Sequence, residues 1–127
     1  MQNDRLTLKT ALKSDVWLHA QKIHGAHVII SCGGNGPDET TLYEAAAIAA
    51  YYSEARRDGK VLVDYTQVKH VKKPPGGRPG MVIYTDYKTI SAVPDEELVN
   101  RLKTERFFEE LGTDPQVYYI PDLGGVK

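Results

Sequence analysis

The apolar residues of this chain come in short runs. Val16-Trp17-Leu18, Val28-Ile29-Ile30, Val61-Leu62-Val63 and Met81-Val82-Ile83 are each followed by polar or turn-forming residues. Short, β-branched runs predict strands buried on both faces. The first starts at Val16 and ends near Ala20. The second spans Gly25 to Ser31, and its continuous apolar stretch predicts a central position. Residues Tyr87 to Val93 alternate imperfectly, as on an edge strand, and their closeness to Met81–Tyr84 predicts an antiparallel hairpin around Asp86.

Two segments have helical patterning instead. Thr41 to Arg57 is alanine-rich, with Thr41 and Glu44 at capping-box spacing and Gly59 placed to end it. Its small residues, from Leu42 and Ala45 to Ala55, let a helix axis lie close to a sheet. A second helix is predicted over 95–111, with Asp95 as N-cap and Gly112 as stop. Leu6 to Lys13 is expected to form a short helix, and the apolar segment Val117 to Ile120 to dock on the body. The fold class is therefore α+β. A mixed, largely antiparallel sheet of about five strands is packed by the helix 41–57, with the helix 95–111 added.

Charge changes this picture because it is segregated. The 127 residues carry a net charge of −1, yet residues 56–93 hold eight Lys/Arg against three Asp/Glu. Residues 94–127 hold four against eight. Such segregation creates a local positive potential that steers polyanions. Its centre is the connector after Val61-Leu62-Val63, where Lys69, His70, Lys72, Lys73 and Arg78 precede or interrupt a Pro/Gly-rich turn. A cationic loop braced by strands on both sides predicts a fixed anion-binding surface. Arg56, Arg57 and Lys60 are expected to join it from the helix end. His19 and His27 are candidates to stack on bases or touch phosphate, and Tyr51, Tyr52, Tyr65, Tyr84 and Tyr87 interleave with the cations. Recognition is expected to rest on backbone and shape, because no base-reading constellation is evident.

Other classes find less support. No apolar run is long enough for a membrane helix, and the polar N-terminus does not read as a signal peptide. A single cysteine, Cys32, precludes an internal disulfide and suits a reducing cytoplasm. The Cys32–Pro37 turn can form an anion nest but lacks a P-loop's Gly-Lys-Ser/Thr. His19, His24 and His27 lack the paired cysteines or HExxH spacing of a metal site. With no nucleophile–base–acid set, a non-enzymatic protein without cofactor or metal is expected. The rival is a protein-interaction module, using the basic loop or the C-terminal segment.

Several motifs together resemble the RNA-binding domain of the NFACT family (NFACT-R). They are Gln2-Asn3-Asp4, Asp15-Val16-Trp17-Leu18-His19-Ala20, Gly25-Ala26-His27-Val28-Ile29-Ile30, Glu44-Ala45-Ala46 through Arg56, Val63-Asp64-Tyr65-Thr66, Val71-Lys72-Lys73-Pro74 and Pro79-Gly80-Met81-Val82-Ile83-Tyr84. This domain is the C-terminal module of RqcH-like ribosome quality control factors, whose older descriptions are fibronectin- or fibrinogen-binding. Ala26 stands where the family usually has serine, and His24 where it has proline. The chain also starts inside the first motif, so a piece of a longer multidomain protein is expected. Residues 1–95 would be the RNA-binding part, and 96–127 a helix and tail of the same domain. The resemblance implies a cytoplasmic, non-catalytic domain. Its partners would be tRNA, large-subunit ribosomal RNA and other domains of the parent protein. That parent would recruit tRNA to obstructed large subunits for alanine tailing of nascent chains.

Overall fold

The computed structural model describes residues 14–32, 36–76, 81–105, 109–113 and 116–121. The elements in order are β1 (Val16–Ala20), β2 (His27–Ser31), α1 (Glu39–Tyr51), β3 (Val61–Gln67), a 3₁₀ turn (Val68–His70), β4 (Val71–Lys72), β5 (Ile83–Tyr84), β6 (Lys88–Ala92), α2 (Glu96–Glu105), β7 (Glu109–Thr113) and β8 (Gln116–Pro121). Six strands form one sheet in the order β6-β3-β1-β2-β8-β7, and β4 pairs with β5 as a separate ribbon. Every neighbouring pair is antiparallel except β2–β8, so the sheet is mixed and largely antiparallel, as the sequence predicts.

Alternation along the strands sorts side chains onto two faces. Val16, Leu18, Val28, Ile30, Val63 and Ile120 point towards the helices, where they pack with Ala45, Ala46, Ile48 and Ala49 of α1 and Val99 and Leu102 of α2. Alanine suits α1 because all of Ala45 to Ala50 is buried, and a larger side chain would push the axis off the sheet. On the other face Trp17 and Ile29 cluster with Val117 of β8 and are covered by Val68 and Val71, with Val82 and Tyr84 packed against them. The 3₁₀ turn and the β4–β5 ribbon thus lie across this second face.

Several element boundaries differ from those expected. Helix α1 is capped by Asp38, whose side chain accepts from the Thr40 amide at 3.0 Å, and not by Thr41. It stops at Tyr51, short of Arg57. Ser53 ends it, donating its hydroxyl to the Ala50 carbonyl at 2.8 Å and accepting from the Ala55 amide at 3.2 Å. Asp95 caps α2 as expected, accepting from the Leu98 amide at 3.1 Å. That helix ends at Glu105, however. Residues 109–113 form β7 beside β8; these two strands join the sheet while Ile83–Tyr84 leaves it for the ribbon, so it has six strands where about five were expected. No hairpin forms around Asp86. β5 pairs with β4 and β6 with β3, so the chain changes sheets there, with Asp86 at φ +55°. Met81 and Ile83 are exposed, not core. The expected helix over Leu6 to Lys13, and Phe107 and Phe108, lie outside the described residues.

Candidate nucleic-acid interface

The second face carries the chemistry. The register pairs His19 with Asp64 and Asp64 with Thr89. Continuing the β1–β2 register by one residue sets His19 opposite His27, and their ring centroids are 4.9 Å apart. A polar row therefore crosses four strands in the order Thr89, Asp64, His19, His27. Asp64 is buried, and a buried carboxylate needs donors. It has three from side chains: Thr89 Oγ1 at 2.7 Å, Gln21 Nε2 at 2.9 Å and the Tyr84 hydroxyl at 2.6 Å.

The last of these bonds fastens the ribbon to the sheet. Thr66 adds a second fastening, its hydroxyl lying 3.0 Å from the Thr85 carbonyl. Burial, then the bond to Asp64, push the Tyr84 hydroxyl well above the usual tyrosine range, so it stays a donor. The Tyr84 ring also packs on Trp17 at 4.6 Å and on Tyr87 at 5.1 Å. An aromatic path thus runs from the buried Trp17 to Tyr87, which is 48% exposed.

The histidines have defined roles in this row. The Trp17 indole N–H donates to His27 Nδ1 at 2.8 Å, so neutral His27 carries its proton on Nε2. His27 is itself buried, which makes it a support for the face and not a surface contact. His19 is half-buried, with Nδ1 at 2.8 Å from the Ala20 carbonyl, a bond only an Nδ1–H can make. Desolvation by burial holds the His19 pKa below the ordinary value of 6.5, against the opposing pull of the Ala20 and Gly25 backbone and of Asp64. Neutral His19 thus keeps an unprotonated Nε2.

The predicted cations divide into two groups. Lys69, His70, Lys72 and Lys73 lie together on the 3₁₀ turn, β4 and the residue after it, with Lys69 and Lys72 exposed. His70 Nδ1 lies 3.4 Å from the Asp86 carboxylate, at the turn that leads to Tyr87. Arg78 lies outside the described residues, as does the Gly33–Asn35 stretch of the proposed anion nest. Arg56, Arg57 and Lys60 do not join this surface. Lys60 precedes β3 while Lys69 follows it, and seven strand residues separate the two ends by about 23 Å at ~3.3 Å per residue. Cys32 is tethered: its amide donates to Asp15 Oδ1 at 3.2 Å and its thiol lies 3.9 Å from the Ser14 carbonyl. No group of three His, Cys, Asp or Glu is arranged to hold a metal ion among the described residues. Nor is any helix there long and apolar enough to cross a membrane.

Sequence reasoning missed Asp64 and Tyr84 as structural partners. The available signal was alternation in Val61–Gln67, which sets Asp64 on the face away from Val61 and Val63. Nothing in the sequence pairs it with a tyrosine twenty residues later.

Comparison with known proteins adds to this geometry. Residues 1–86 match the family model described as NFACT protein RNA binding domain. The chain is 47% identical over 102 residues to the Rqc2 homolog RqcH of Bacillus subtilis, covering 80% of this chain and 18% of that protein. It is 43% identical over 103 residues to the Rqc2 homolog RqcH of Streptococcus pneumoniae, covering 81% and 18%. The chain therefore spans less than a fifth of the length of these relatives. Among solved structures, the C-terminal part of the fibronectin/fibrinogen-binding protein from Streptococcus suis superposes with a TM-score of 0.73 at 41% identity, covering 79% of this chain and 40% of that one.

Proposed function

Because the chain belongs to the NFACT protein RNA-binding domain family, we propose that it grips RNA through the ribbon side of its second face. The observation that carries this is the fastened cationic turn. Lys69 and Lys72 project from backbone that is pinned to the sheet by Tyr84–Asp64 and Thr66–Thr85, beside the exposed ring of Tyr87. Pinned cations contact phosphates at a lower entropic cost than mobile ones, and an exposed tyrosine offers an unpaired base a stacking surface. Lys73 belongs to the same contact segment, and Arg78 by sequence. His70 belongs to the same segment, with the Asp86 carboxylate beside it. His19 Nε2 offers an acceptor at the margin of the face.

Within the parent protein, the RNA would be tRNA, large-subunit ribosomal RNA or both. The parent would act in the cytoplasm as a ribosome quality control factor that brings tRNA to obstructed large subunits for alanine tailing. The role of this domain in it is binding, not catalysis. Relatives named as Rqc2 homologs support this reading.

A protein-interaction role is the competing reading. It draws on the binding named for the Streptococcus suis protein and on the exposed Met81, Ile83 and Leu62. Titrating the chain with labelled tRNA and with fibronectin at low and moderate salt separates them. RNA binding that weakens steeply with salt, with no saturable fibronectin binding, supports the proposal. Saturable, salt-insensitive fibronectin binding without RNA binding contradicts it.

A further inference from the structure

The two edges of the sheet are not alike. β7, at one edge, pairs with β8 through a register shift between Glu110 and Gly112. β6, at the other, pairs with β3 in unbroken register, from Val61 with Ala92 to Tyr65 with Lys88. Among the described residues, no strand pairs with the outer edge of β6. Such an edge presents a row of backbone N–H and C=O groups that a further strand can take up. A bulge, a proline or several charges commonly blunt an edge. Within β6 the single charge of Lys88 is the only such device.

The side chains of this edge have an order of their own. Alternation sets Thr89 and Ser91 on the face of Asp64, and Lys88, Ile90 and Ala92 on the face of the helices. Thr89 lies opposite Asp64 and Ser91 opposite Leu62. One residue beyond each end of this row, Tyr87 and Val93 continue it, and the Tyr87 ring meets that of Tyr84 on the same face. Tyr87, Thr89, Ser91 and Val93 are all exposed, as is Leu62 beside them. The row is apolar, hydroxyl, hydroxyl, apolar, with Ile90 at its midpoint. It reads the same from either end, which is the condition a two-fold interface sets on a single strand.

We infer that β6 pairs antiparallel with β6 of a second copy of this chain, about a two-fold axis at Ile90, joining two sheets edge to edge. In that register Tyr87 opposes Val93 of the copy, Thr89 opposes Ser91, Ile90 opposes Ile90 and Lys88 opposes Ala92. No like charges meet within the strand pair. Thr89 already donates its hydroxyl proton to Asp64, so its oxygen is left to accept from Ser91 of the copy. Leu62, diagonal to Val93, extends the apolar contact at each end. Alternate residues of an antiparallel strand turn both backbone groups outward. Residues 88, 90 and 92 form one such set and 89 and 91 the other; each is symmetric about Ile90, so the ladder closes with either. Beyond the strand, Asp86 approaches Asp95 of the copy, with Lys88 and His70 nearby to offset them. A single strand pair is a small contact and belongs at the weak end of specific interfaces. It covers part of the Tyr87 ring, so a second copy and a base stacked there exclude one another. The pairing itself does not rest on RNA binding.

The test uses the full chain freed of nucleic acid. Sedimentation velocity from about 1 µM to about 1 mM protein should show the mass rising reversibly from one chain towards two, with its midpoint above roughly 10 µM. A single-chain mass at the top of that range overturns the pairing. Val93→Glu changes an exposed side chain that the dimer meets twice, and should weaken association about tenfold. Unchanged association in that variant removes the interface from β6. The register is read by disulfide capture under mild oxidation, in a Cys32→Ser background. Ile90→Cys should cross-link readily, because this position meets itself across the axis. Lys88→Cys should give less than about a tenth of that yield, since its two copies stand four residues, or about 13 Å, apart along the strands. Equal yields at the two positions, or a greater yield at Lys88, overturn the register.

Discussion

The Tyr84 hydroxyl donates to the buried carboxylate of Asp64 at 2.6 Å, joining a two-residue ribbon strand to the second strand of a six-stranded sheet. The ribbon buries few side chains of its own. Val71 and the Tyr84 ring pack on Trp17, but Ile83 and Met81 face solvent. A ribbon this short is marginal alone, so its position depends on such fastenings.

Removing that one hydroxyl tests the fastening. Tyr84→Phe keeps the ring on Trp17 and leaves Asp64 with Thr89 and Gln21 as donors. We expect a loss of about 1.5–3 kcal/mol in urea unfolding, the range for one hydrogen bond to a charged acceptor. RNA affinity should fall about three- to fivefold with an unchanged salt slope, because the same cations remain but must be ordered on binding. A flatter slope would show that the ribbon cations had left the contact altogether.

The loop after β1 gives a packing prediction. Gly25→Ala places a methyl 3.2 Å from Ser53 Cβ and 3.3 Å from Ser53 Cα. Ser53 cannot retreat freely, since its hydroxyl serves both the Ala50 carbonyl and the Ala55 amide. The cost should be about 1–2 kcal/mol by chemical denaturation. A neutral result would mean that the loop and the turn after α1 separate easily.

His19 should make the fold acid-sensitive above the range where carboxylates titrate. Its folded pKa is lowered from 6.5, so the unfolded chain binds the proton more readily. The stability linked to this group is complete above the unfolded value and is lost as pH falls through the folded one. Between about pH 7 and about 5.5, the urea midpoint of the parent should drop more than that of His19→Gln. Parallel curves would contradict this. Tyr84 works in the opposite sense: its raised pKa contributes stability below the ordinary tyrosine value of 10.0, lost as pH rises above it.

Much of the architecture was legible because it follows from local patterns. The runs at Val16 and Val28 became neighbouring strands, alanine richness marked the buried helix, and Asp95 capped α2 as its position predicts. Features that depend on distant partners were not legible. The helix over 95–111 was read too long because nothing local announces that residues 109–113 will pair with β8. Ser53 ended α1 through a hydroxyl that a propensity argument counts only weakly. In the site, nearness along the chain was mistaken for nearness in space. Lys60 and Lys69 are nine positions apart, but seven of the eight residues between them form a strand. Had they been helical, the same residues would have brought the two groups within one surface.

The most direct measurement is the salt dependence of RNA binding by the parent chain and by Lys69→Gln/Lys72→Gln. Both lysines are exposed, so folding should be unaffected. The account predicts that the variant binds tRNA about tenfold more weakly at moderate salt, and that the slope of log affinity against log salt falls by about two, one for each lost phosphate contact. Equal affinity and an equal slope in the two proteins would contradict it, and would place the RNA elsewhere on the domain.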